Sequence, residues 1–257
     1  MREEIGIVHV YPELLGTYGD RGNALALVHR AAGRGVVGRI IDVGIDDPLP
    51  SHGDIYLLGG GEDSAQLLAA RSLLADHRAV TVLGSRPCLA VCAGLQLLAH
   101  RFDDAKGCPH PGLGLLDVTC RRLSRRAVGE VVAEPQDLPG VPTLTGFENH
   151  AGTAVFGPEA RPLARIVTGV GNGDHRSEGV IQASIVATYL HGPVLIRNPA
   201  LADLLLSQVL GDLPAFDDAS VERLRAERLD AADPRRHRTG RALVGDGRRV
   251  SAPRTSK

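Results

Sequence analysis

The sequence is poor in aromatic residues. It contains no tryptophan, and phenylalanine, tyrosine and tryptophan together make up 3% of its 257 residues. Proteins that bind single-stranded nucleic acid stack bases on aromatic side chains, so this composition argues against that class. Hydrophobic residues nevertheless reach 43%. Leucine, valine, isoleucine and alanine therefore have to supply the core, for which a chain of this length is ample.

The sequence also lacks a long apolar run. No stretch approaches the roughly 18 apolar residues of a membrane-spanning helix. The chain starts with Met1-Arg2-Glu3-Glu4 and continues directly into a strand-like segment, a pattern unlike a secretory signal. We therefore expect a cytoplasmic protein without a membrane span.

Cysteine is scarce, with Cys88, Cys92, Cys108 and Cys120 the only four. They are too few and too clustered for a disulfide scaffold, so we expect thiols. A zinc site is disfavoured because Cys88 and Cys92 share an apolar strand, and Cys108 and His110 have no partner pair at ligand spacing. The sequence predicts no metal and no cofactor.

Lysine is nearly absent, since Lys106 and Lys257 are the only two among 29 basic residues. Eight basic residues fall within 234–257 beside a single acidic one, whereas the rest of the chain is acidic overall. We expect a domain at 1–212, a C-terminal helix within 213–233 and a disordered, Arg-rich tail at 234–257.

The first half of the chain alternates between strand and helix patterns. Strands are predicted at 5–10, 36–43, 54–58 and 87–91, and helices at 23–32, 62–77 and 93–101. The predicted inward residues include Leu25 and Val28 of the first helix and Leu68 and Leu74 of the second. The strand at 54–58 is nearly continuous in apolar residues, which is typical of parallel strands covered by helices on both faces. This pattern predicts an α/β fold, a three-layer sandwich with a mostly parallel sheet.

The second half is richer in strand patterns. Strands are predicted at 113–118, 129–133, 143–147, 164–170 and 181–189, with helices at 199–210 and 216–229. Proline and glycine lie between the strands, and no internal repeat is present.

The segment from Pro87 to Leu98 carries the strongest chemical signal. An apolar strand ends at Cys92 and a helix follows at once, with Ala90 and Gly94 two residues to either side. Small residues at those positions permit the tight turn of a nucleophile elbow, here with cysteine in place of serine. The helix N-terminus would favour the thiolate. The competing interpretation is that Cys92 is a small buried apolar residue.

Two further segments suit a cysteine nucleophile. His191 stands in Tyr189-Leu190-His191-Gly192-Pro193, where a strand gives way to a turn, and a thiol needs such a base within hydrogen-bond reach. Gly59, Gly60 and Gly61 form a run between a strand and a helix. Without a P-loop lysine this run does not predict a phosphate site, but it suits backbone donation to an oxyanion.

Together these segments resemble the class I (triad-type) glutamine amidotransferases. The Tyr-Leu-His-Gly sequence is typical of the cobyric-acid-synthase-like branch. Within that branch the chain is most similar to the small glutaminase subunits of lipid II isoglutaminyl synthases. The segments that carry this resemblance are 14–23, 146–150 and 188–193.

The resemblance implies site roles for several residues. Cys92 would be the nucleophile and His191 its general base, with Gly60 as the preferred oxyanion donor. Arg126 would contact the substrate, although it belongs to a run of arginines typical of a solvated face.

The usual acid of the triad is missing. Pro193 stands two residues after the histidine, where most relatives have a glutamate. Either the site is a Cys–His dyad, or another acid orients His191. Asp20 and Glu148 are the candidates, and the sequence does not choose between them.

The resemblance further implies the reaction and its partners. The substrate would be L-glutamine, and the ammonia would pass to a Mur-ligase-like, ATP-dependent subunit in a heterodimer. That partner would amidate the D-glutamate α-carboxylate of lipid II, which is itself membrane-bound. Nucleic acid is not an expected partner.

Three alternatives remain open from the sequence. The chain could serve another acceptor, such as a corrin carboxylate. It could be another elbow-cysteine hydrolase of similar fold, such as a protease or deglycase. It could also be a non-catalytic protein whose basic tail binds nucleic acid or anionic lipid, with an affinity that falls steeply in salt.

Overall fold

A computed structural model describes residues 2–231. In chain order the first half contains β1 (Glu4–Val10), α1 (Arg21–Ala32), β2 (Val37–Val43), β3 (Ile55–Leu58), α2 (Asp63–Ala75), α3 (Ala79–Gly84), β4 (Cys88–Val91) and α4 (Ala93–Leu98). The second half contains β5 (Arg101–Asp103), β6 (Pro109–Pro111), β7 (Val118–Cys120), β8 (Arg122–Pro135), β9 (Leu144–Gly152), β10 (Val155–Phe156), β11 (Ala164–Thr168), β12 (Ser177–Glu178), β13 (Val180–Gln182), β14 (Ile185–Thr188), α5 (Val194–Arg197), α6 (Pro199–Leu210) and α7 (Ala219–Ala231).

The core of the fold is a six-stranded sheet in the order β13-β14-β4-β3-β1-β2. Its neighbouring strands are parallel except for the β13–β14 hairpin at one edge. Strands β3, β4 and β14 are buried at every position, as the continuous apolar patterns predicted. Helices cover the sheet, and the predicted three-layer α/β fold with a mostly parallel sheet is confirmed.

The buried faces of α1 and α2 differ from those predicted. Leu25 of α1 is 53% exposed, and Leu68 and Leu74 of α2 are also exposed. Each buried face carries one leucine together with small and polar side chains, namely Asn23, Ala24, Leu27, Arg30 and Ala31 in α1 and Gln66, Ala69, Ala70 and Leu73 in α2. Apolar periodicity was misleading here because the buried polar groups have hydrogen-bond partners elsewhere in the fold.

Two predicted elements after the elbow are wrong. The helix predicted at 93–101 ends at Leu98, and the strand predicted at 113–118 starts only at Val118. Between them the backbone N–H groups of Leu113 and Leu115 donate to the carbonyls of Leu97 and Leu98 at 2.8 and 2.9 Å. This loop satisfies the carbonyls left open at the end of α4, so it is not free to pair as a strand.

The second half also folds more irregularly than predicted. The segment predicted as one strand at 181–189 is a hairpin of β13 and β14, with Ala183 at φ 50° in its turn. The strands predicted at 129–133 and 143–147 are extended in β8 and β9, which pair in a second sheet ordered β12-β11-β8-β9. A third sheet has the order β10-β7-β5-β6. The helix predicted at 199–210 is observed with the same bounds as α6.

The C-terminal helix α7 packs on the rest of the fold. Arg225 is buried and donates to the carbonyl of Thr143 at 2.7 Å and to Asn198 Oδ1 at 3.2 Å. The Arg-rich tail at 234–257 lies outside the described residues. Within 2–231 no helix is long and apolar enough to cross a membrane.

Candidate active site

Cys92 occupies a sharp turn between β4 and α4. Its backbone has φ 54° and ψ −101°, a conformation that residues with a side chain rarely adopt. The Cys92 N–H donates to the carbonyl of Thr188 at 2.8 Å, which ties the turn to the neighbouring strand β14. A Cβ at position 94 would lie 2.5 Å from the carbonyl oxygen of Leu58, so Gly94 is required there. The tight strand-to-helix turn predicted from the sequence is therefore present.

The Cys92 thiol is buried, and burial is the main cause that raises its pKa to about 12. The negative charge of Asp20 acts in the same direction. The N–H of Ala93 at the start of α4 lowers the pKa of the thiol, but by less. The expectation that the helix N-terminus favours a thiolate is thus not met in this state. Desolvation outweighs the helix terminus, and the thiol needs a base.

His191 follows β14, the strand next to β4, so Cys92 and His191 leave adjacent parallel strands at the same sheet edge. Its backbone is held to Phe147 of β9 by two hydrogen bonds of 2.8 and 3.1 Å. Burial is the main cause that lowers the pKa of its imidazole to about 4, with the positive charges of His150 and Arg126 contributing. His191 is therefore neutral near pH 7, which is the state that can accept a proton.

The His191 ring has no hydrogen-bonding partner at either nitrogen among the described residues. Of the two candidate acids, Glu148 accepts hydrogen bonds from the N–H groups of Val170 and Gly171 at 2.9 Å each. Asp20 accepts one from the N–H of Gly60 at 2.9 Å. Neither carboxylate is hydrogen-bonded to the imidazole.

Asp20 nevertheless lies close to His191, with Gly60 between them. A Cβ at Gly60 would lie 2.9 Å from Cε1 of His191 and 3.6 Å from Oδ2 of Asp20. Burial is the main cause that raises the pKa of Asp20 to about 6, against the hydrogen bond from Gly60. Asp20 therefore lies across Gly60 from the His191 ring, whereas the Cys92 thiol and the imidazole are not hydrogen-bonded to each other in this structure.

The Gly60 N–H is the expected donor to a substrate oxyanion, but the structure shows that N–H in another hydrogen bond. The Gly60 N–H is bound to Asp20, so it does not point to a substrate oxyanion in this structure. Gly61, by contrast, lines the cavity together with Cys92 and Ala93. In this structure the Gly60 N–H holds Asp20, and Gly61 and Ala93 are the neighbouring backbone positions at the cavity.

Glycine is needed at several motif positions because the motifs lie in direct contact and leave no space for a Cβ atom. A Cβ at Gly59 would lie 1.9 Å from the carbonyl oxygen of Leu15, and one at Gly22 would lie 2.3 Å from Cγ of Pro193. Asn23 Oδ1 accepts a hydrogen bond of 3.0 Å from the N–H of Leu195. The 14–23 loop, the glycine run and the segment after His191 are thus in direct contact with one another.

Cys92 opens into a cavity of about 200 Å³ at the ends of the strands. This is smaller than the roughly 300–1,000 Å³ of clefts for drug-sized ligands, and it suits a substrate of amino-acid size. Arg126 lines the cavity from a bulged part of β8, where the pairing register with β9 shifts. Arg126 is exposed, but its Nε donates to Oδ1 of Asn149 at 2.6 Å, so a hydrogen bond holds the guanidinium at the cavity.

Several residues of the site were not found from the sequence. Tyr18 contacts both the His191 ring and the Arg126 guanidinium. Gln66 and Gln96 line the cavity, joined by a hydrogen bond of 2.7 Å. The sequence signal for Gln66 and Gln96 was their position among apolar residues. A glutamine on the buried face of a helix needs a hydrogen-bond partner or a ligand.

The Cys108–His110 loop lies beside the cavity and is organised by a carboxylate. Asp104 accepts hydrogen bonds from the N–H of Lys106 and Cys108 at 2.9 and 2.8 Å, and its Oδ2 lies 3.0 Å from Nε2 of His110. Among residues 2–231 no group of three or more metal-ligating side chains is gathered.

Comparison with known proteins gives the family. The profile of the CobB/CobQ-like glutamine amidotransferase domain matches residues 6–199. The chain is 32% identical over 239 residues to the lipid II isoglutaminyl synthase (glutamine-hydrolyzing) subunit GatD of Streptococcus pneumoniae, covering 88% of this chain and 91% of that one. It is 32% identical over 209 residues to the GatD subunit of Staphylococcus aureus, covering 80% and 84%.

Solved structures agree on the fold. A crystal structure of a glutamine amidotransferase superposes with a TM-score of 0.53 at 19% identity, covering 79% of this chain and 98% of that one. The family match spans the elbow cysteine, the glycine run and the histidine segment, and reaches into α6. The chain therefore belongs to the family of CobB/CobQ-like glutamine amidotransferase domains and is a glutamine-hydrolysing enzyme subunit.

Proposed function

We propose that this chain is the glutaminase subunit of a lipid II isoglutaminyl synthase. It would hydrolyse L-glutamine to glutamate and ammonia and hand the ammonia to a Mur-ligase-like, ATP-dependent partner in a heterodimer. That partner would amidate the D-glutamate α-carboxylate of lipid II to D-isoglutamine. The observation that carries the proposal is the 32% identity to two GatD subunits over most of their length.

Cys92 and His191 perform the chemistry in this proposal. The neutral imidazole takes the thiol proton as the sulfur attacks the side-chain carbonyl carbon of glutamine. The oxyanion is stabilised by the N–H groups of Ala93 and Gly61. His191 then protonates the leaving nitrogen, and ammonia departs from a γ-glutamyl thioester on Cys92. A water that gives its proton to His191 hydrolyses the thioester and releases glutamate.

The remaining site residues position the substrate and the base. Arg126, fixed by Asn149 at the cavity, suits the α-carboxylate of an amino acid through paired, charge-assisted hydrogen bonds. Asp20 is the acid we assign beside the pair, because Glu148 is engaged by backbone N–H groups of a separate loop. Asp20 lies on the other side of Gly60 from His191 and makes no hydrogen bond to the imidazole.

The partner follows from the chemistry of ammonia. Free ammonia is protonated and lost in water, so a glutaminase that serves a synthesis must deliver it directly to the acceptor site. No ATP-binding motif is found in this sequence. The acceptor carboxylate must therefore be activated by another subunit. Because that step uses ATP and free glutamine, we place the enzyme in the cytoplasm.

The proposed organisation assigns glutamine hydrolysis to residues 1–212 and treats the 213–233 segment as a helix packed on that domain. Burial of Arg225 supports this arrangement, since its side chain joins α7 to the residues that directly precede β9 and α6. The tail at 234–257 is not required for chemistry in this proposal.

Covalent labelling with an electrophilic glutamine analogue tests the proposal. The full chain is labelled alone and after co-expression with a Mur-ligase-like subunit, and the adduct is mapped by peptide mass. We expect an adduct on Cys92 that excess glutamine prevents and that is absent from Cys92→Ala. Cys88→Ala is the matched control, because Cys88 is a buried thiol in β4, the strand that leads to Cys92, and its loss should leave labelling unchanged.

The outcomes separate the alternatives. No adduct in either sample, with the fold intact, would contradict the amidotransferase chemistry and favour another elbow-cysteine hydrolase. An adduct on Cys92 together with amidation of a corrin carboxylate, and none of lipid II, would retain the glutaminase and replace the acceptor.

A further inference from the structure

Tyr18 lies in the loop between β1 and α1 and covers the imidazole of His191. The two ring centroids are 4.4 Å apart and the ring planes are inclined by 48°. The same ring lies against the glycine run, where a Cβ at Gly60 would be 3.0 Å from Cδ2 of Tyr18. His191 is 2% exposed, and the Tyr18 ring is part of what keeps water from it.

The hydroxyl of Tyr18 lies on the opposite side, at the cavity mouth. It donates to Oε1 of Glu62 at 3.1 Å. It accepts from Nη2 of Arg126 at 3.3 Å and from Nδ2 of Asn149 at 3.4 Å. Burial and the charge of Glu62 raise the pKa of Tyr18, so the hydroxyl remains protonated and can serve all three partners.

We propose that Tyr18 is a positioning residue with two separable actions. Its ring holds the His191 imidazole in place and dry, and its hydroxyl fixes the guanidinium of Arg126 for the α-carboxylate of the substrate. The inference rests on the proposed glutaminase function for the second action only. The first is a property of the folded chain.

The Tyr18 ring matters because no hydrogen bond restrains the His191 imidazole. Neither of its nitrogens has a hydrogen-bond partner among the described residues, so packing alone sets its orientation. Burial lowers the pKa of His191 to about 4, and loss of the covering ring would hydrate the imidazolium and raise it. The charged or titratable groups that surround it are Asp20, His150 and Arg126. Tyr18→Leu and Tyr18→Phe both release Arg126 from the Tyr18 hydroxyl, so the difference between these two variants isolates the ring.

Two substitutions separate the effect of the Tyr18 ring from that of its hydroxyl. Tyr18→Phe keeps the ring and removes the contacts to Glu62, Arg126 and Asn149, whereas Tyr18→Leu removes both. Tyr56→Phe is the matched control, since the Tyr56 hydroxyl donates to the carbonyl of Pro50 and lines no part of the cavity.

The first measurement follows His191 itself. Its titration is recorded by NMR on the full chain with isotope-labelled histidine, the signal being assigned with His191→Asn. We expect Tyr18→Leu to raise the midpoint by roughly one unit or more, towards the ordinary value near 6.5. Tyr18→Phe and Tyr56→Phe should leave the midpoint in place.

The second measurement is glutamine turnover by the chain co-expressed with its partner. Loss of one charge-assisted hydrogen bond corresponds to roughly a tenfold change in binding, so Tyr18→Phe should raise KM for glutamine by about that factor. Its kcat should stay within about twofold, because the Cys92–His191 pair is untouched. Tyr56→Phe should change neither constant.

If Tyr18→Leu leaves the titration midpoint of His191 unchanged, the proposed action of the ring is wrong. If Tyr18→Phe leaves KM for glutamine unchanged, the proposed action of the hydroxyl is wrong. A wild-type complex that releases no ammonia from glutamine would refute the proposed function and with it the hydroxyl's role towards substrate. The titration would still decide the ring's action on His191.

Discussion

Cys92 combines a strained backbone with a buried side chain. Its φ of 54° lies in a region that costs a residue with a Cβ about 1–3 kcal/mol and costs glycine little. Such strain persists where the surrounding structure fixes it, here through the Cys92 N–H bond to Thr188 and the close approach of Gly94 to β3.

The strain gives a prediction for a pair of inactive variants. Cys92→Ala and Cys92→Gly should both reduce glutamine hydrolysis by at least about 10³-fold, because both lack the sulfur. Cys92→Gly should be the more stable by roughly 1 kcal/mol, since only glycine accepts this φ without strain. Urea unfolding of both variants measures the difference. An alanine variant as stable as the glycine variant would show that the elbow is relaxed.

Asp20 should make the stability of the protein depend on pH. Burial raises its folded-state pKa from 3.8 to about 6, so the folded chain binds this proton more tightly than the unfolded chain does. The stabilisation from protonated Asp20 is complete below about pH 4 and is lost as the pH rises through about 6. The shift corresponds to roughly 2–3 kcal/mol.

Asp20→Asn removes this dependence while keeping an oxygen that accepts from Gly60. Relative to wild type, the Asn variant should gain about 2–3 kcal/mol in its free energy of unfolding between pH 4 and pH 7. Urea unfolding at a series of pH values measures it. Asp42→Asn is the control of opposite sign, because hydrogen bonds from Arg21 outweigh partial burial and lower the pKa of Asp42. If the difference in unfolding free energy between wild type and Asp20→Asn stayed constant with pH, it would contradict a buried Asp20 carboxyl with a raised pKa.

The loops at the sheet edge are fitted to one another at the scale of whole elements. The glycine run lies directly under the 14–23 loop, and that loop lies against the proline that begins α5. Asp20, the glycine run and His191 are thus held by contacts between segments far apart in sequence. Each motif requires the other two for its conformation.

Gly59→Ala tests this interlocking. The added methyl would meet a backbone carbonyl at 1.9 Å, which cannot move aside as a side chain can. We expect a loss of roughly 1–3 kcal/mol in unfolding free energy and a fall in glutamine turnover, because the 14–23 loop must shift. Gly84→Ala is the control, since its methyl would meet only the end of the Leu115 side chain at 3.0 Å. Wild-type turnover in Gly59→Ala would mean that the loop contact does not position the site.

At the scale of the whole molecule, the described fold ends with α7. Arg225 anchors this helix to Thr143 and Asn198, and Asn198 itself accepts from the N–H of Thr145 in β9 at 2.9 Å. The C-terminal helix is therefore joined to the strand that also holds the His191 backbone through Phe147.

Deleting 234–257 should leave glutamine hydrolysis within about twofold of wild type, because every site residue lies before α7. The ammonia released by the truncated and the full chain, each co-expressed with the partner, measures this. Arg225→Ala is the contrasting variant and should destabilise the protein by roughly 1–3 kcal/mol, since it removes a buried side chain and its hydrogen bonds to the Thr143 carbonyl and Asn198. A tail deletion without activity would assign the tail to the site or to the partner contact.

Sequence patterns determined what depends on neighbours along the chain. The buried parallel strands, the elbow at Cys92 and the helix at 199–210 follow from apolar runs, small residues at a tight turn and helical periodicity. The histidine segment was found where a strand gives way to a turn, whereas Arg126 was suggested only by the family resemblance. The motifs also pointed to the family, because each is a short local sequence.

Only the tertiary structure decided what depends on distant contacts. It committed the Gly60 N–H to Asp20 beside the His191 ring, bound Glu148 to the N–H groups of a separate loop, and turned Leu25 and Leu68 to solvent. It also brought Tyr18 between the imidazole and Arg126. The physical reason is the same in each case. Hydrogen-bond partners and burial are set by segments that meet only at the sheet edge, and no pattern within one segment carries that information.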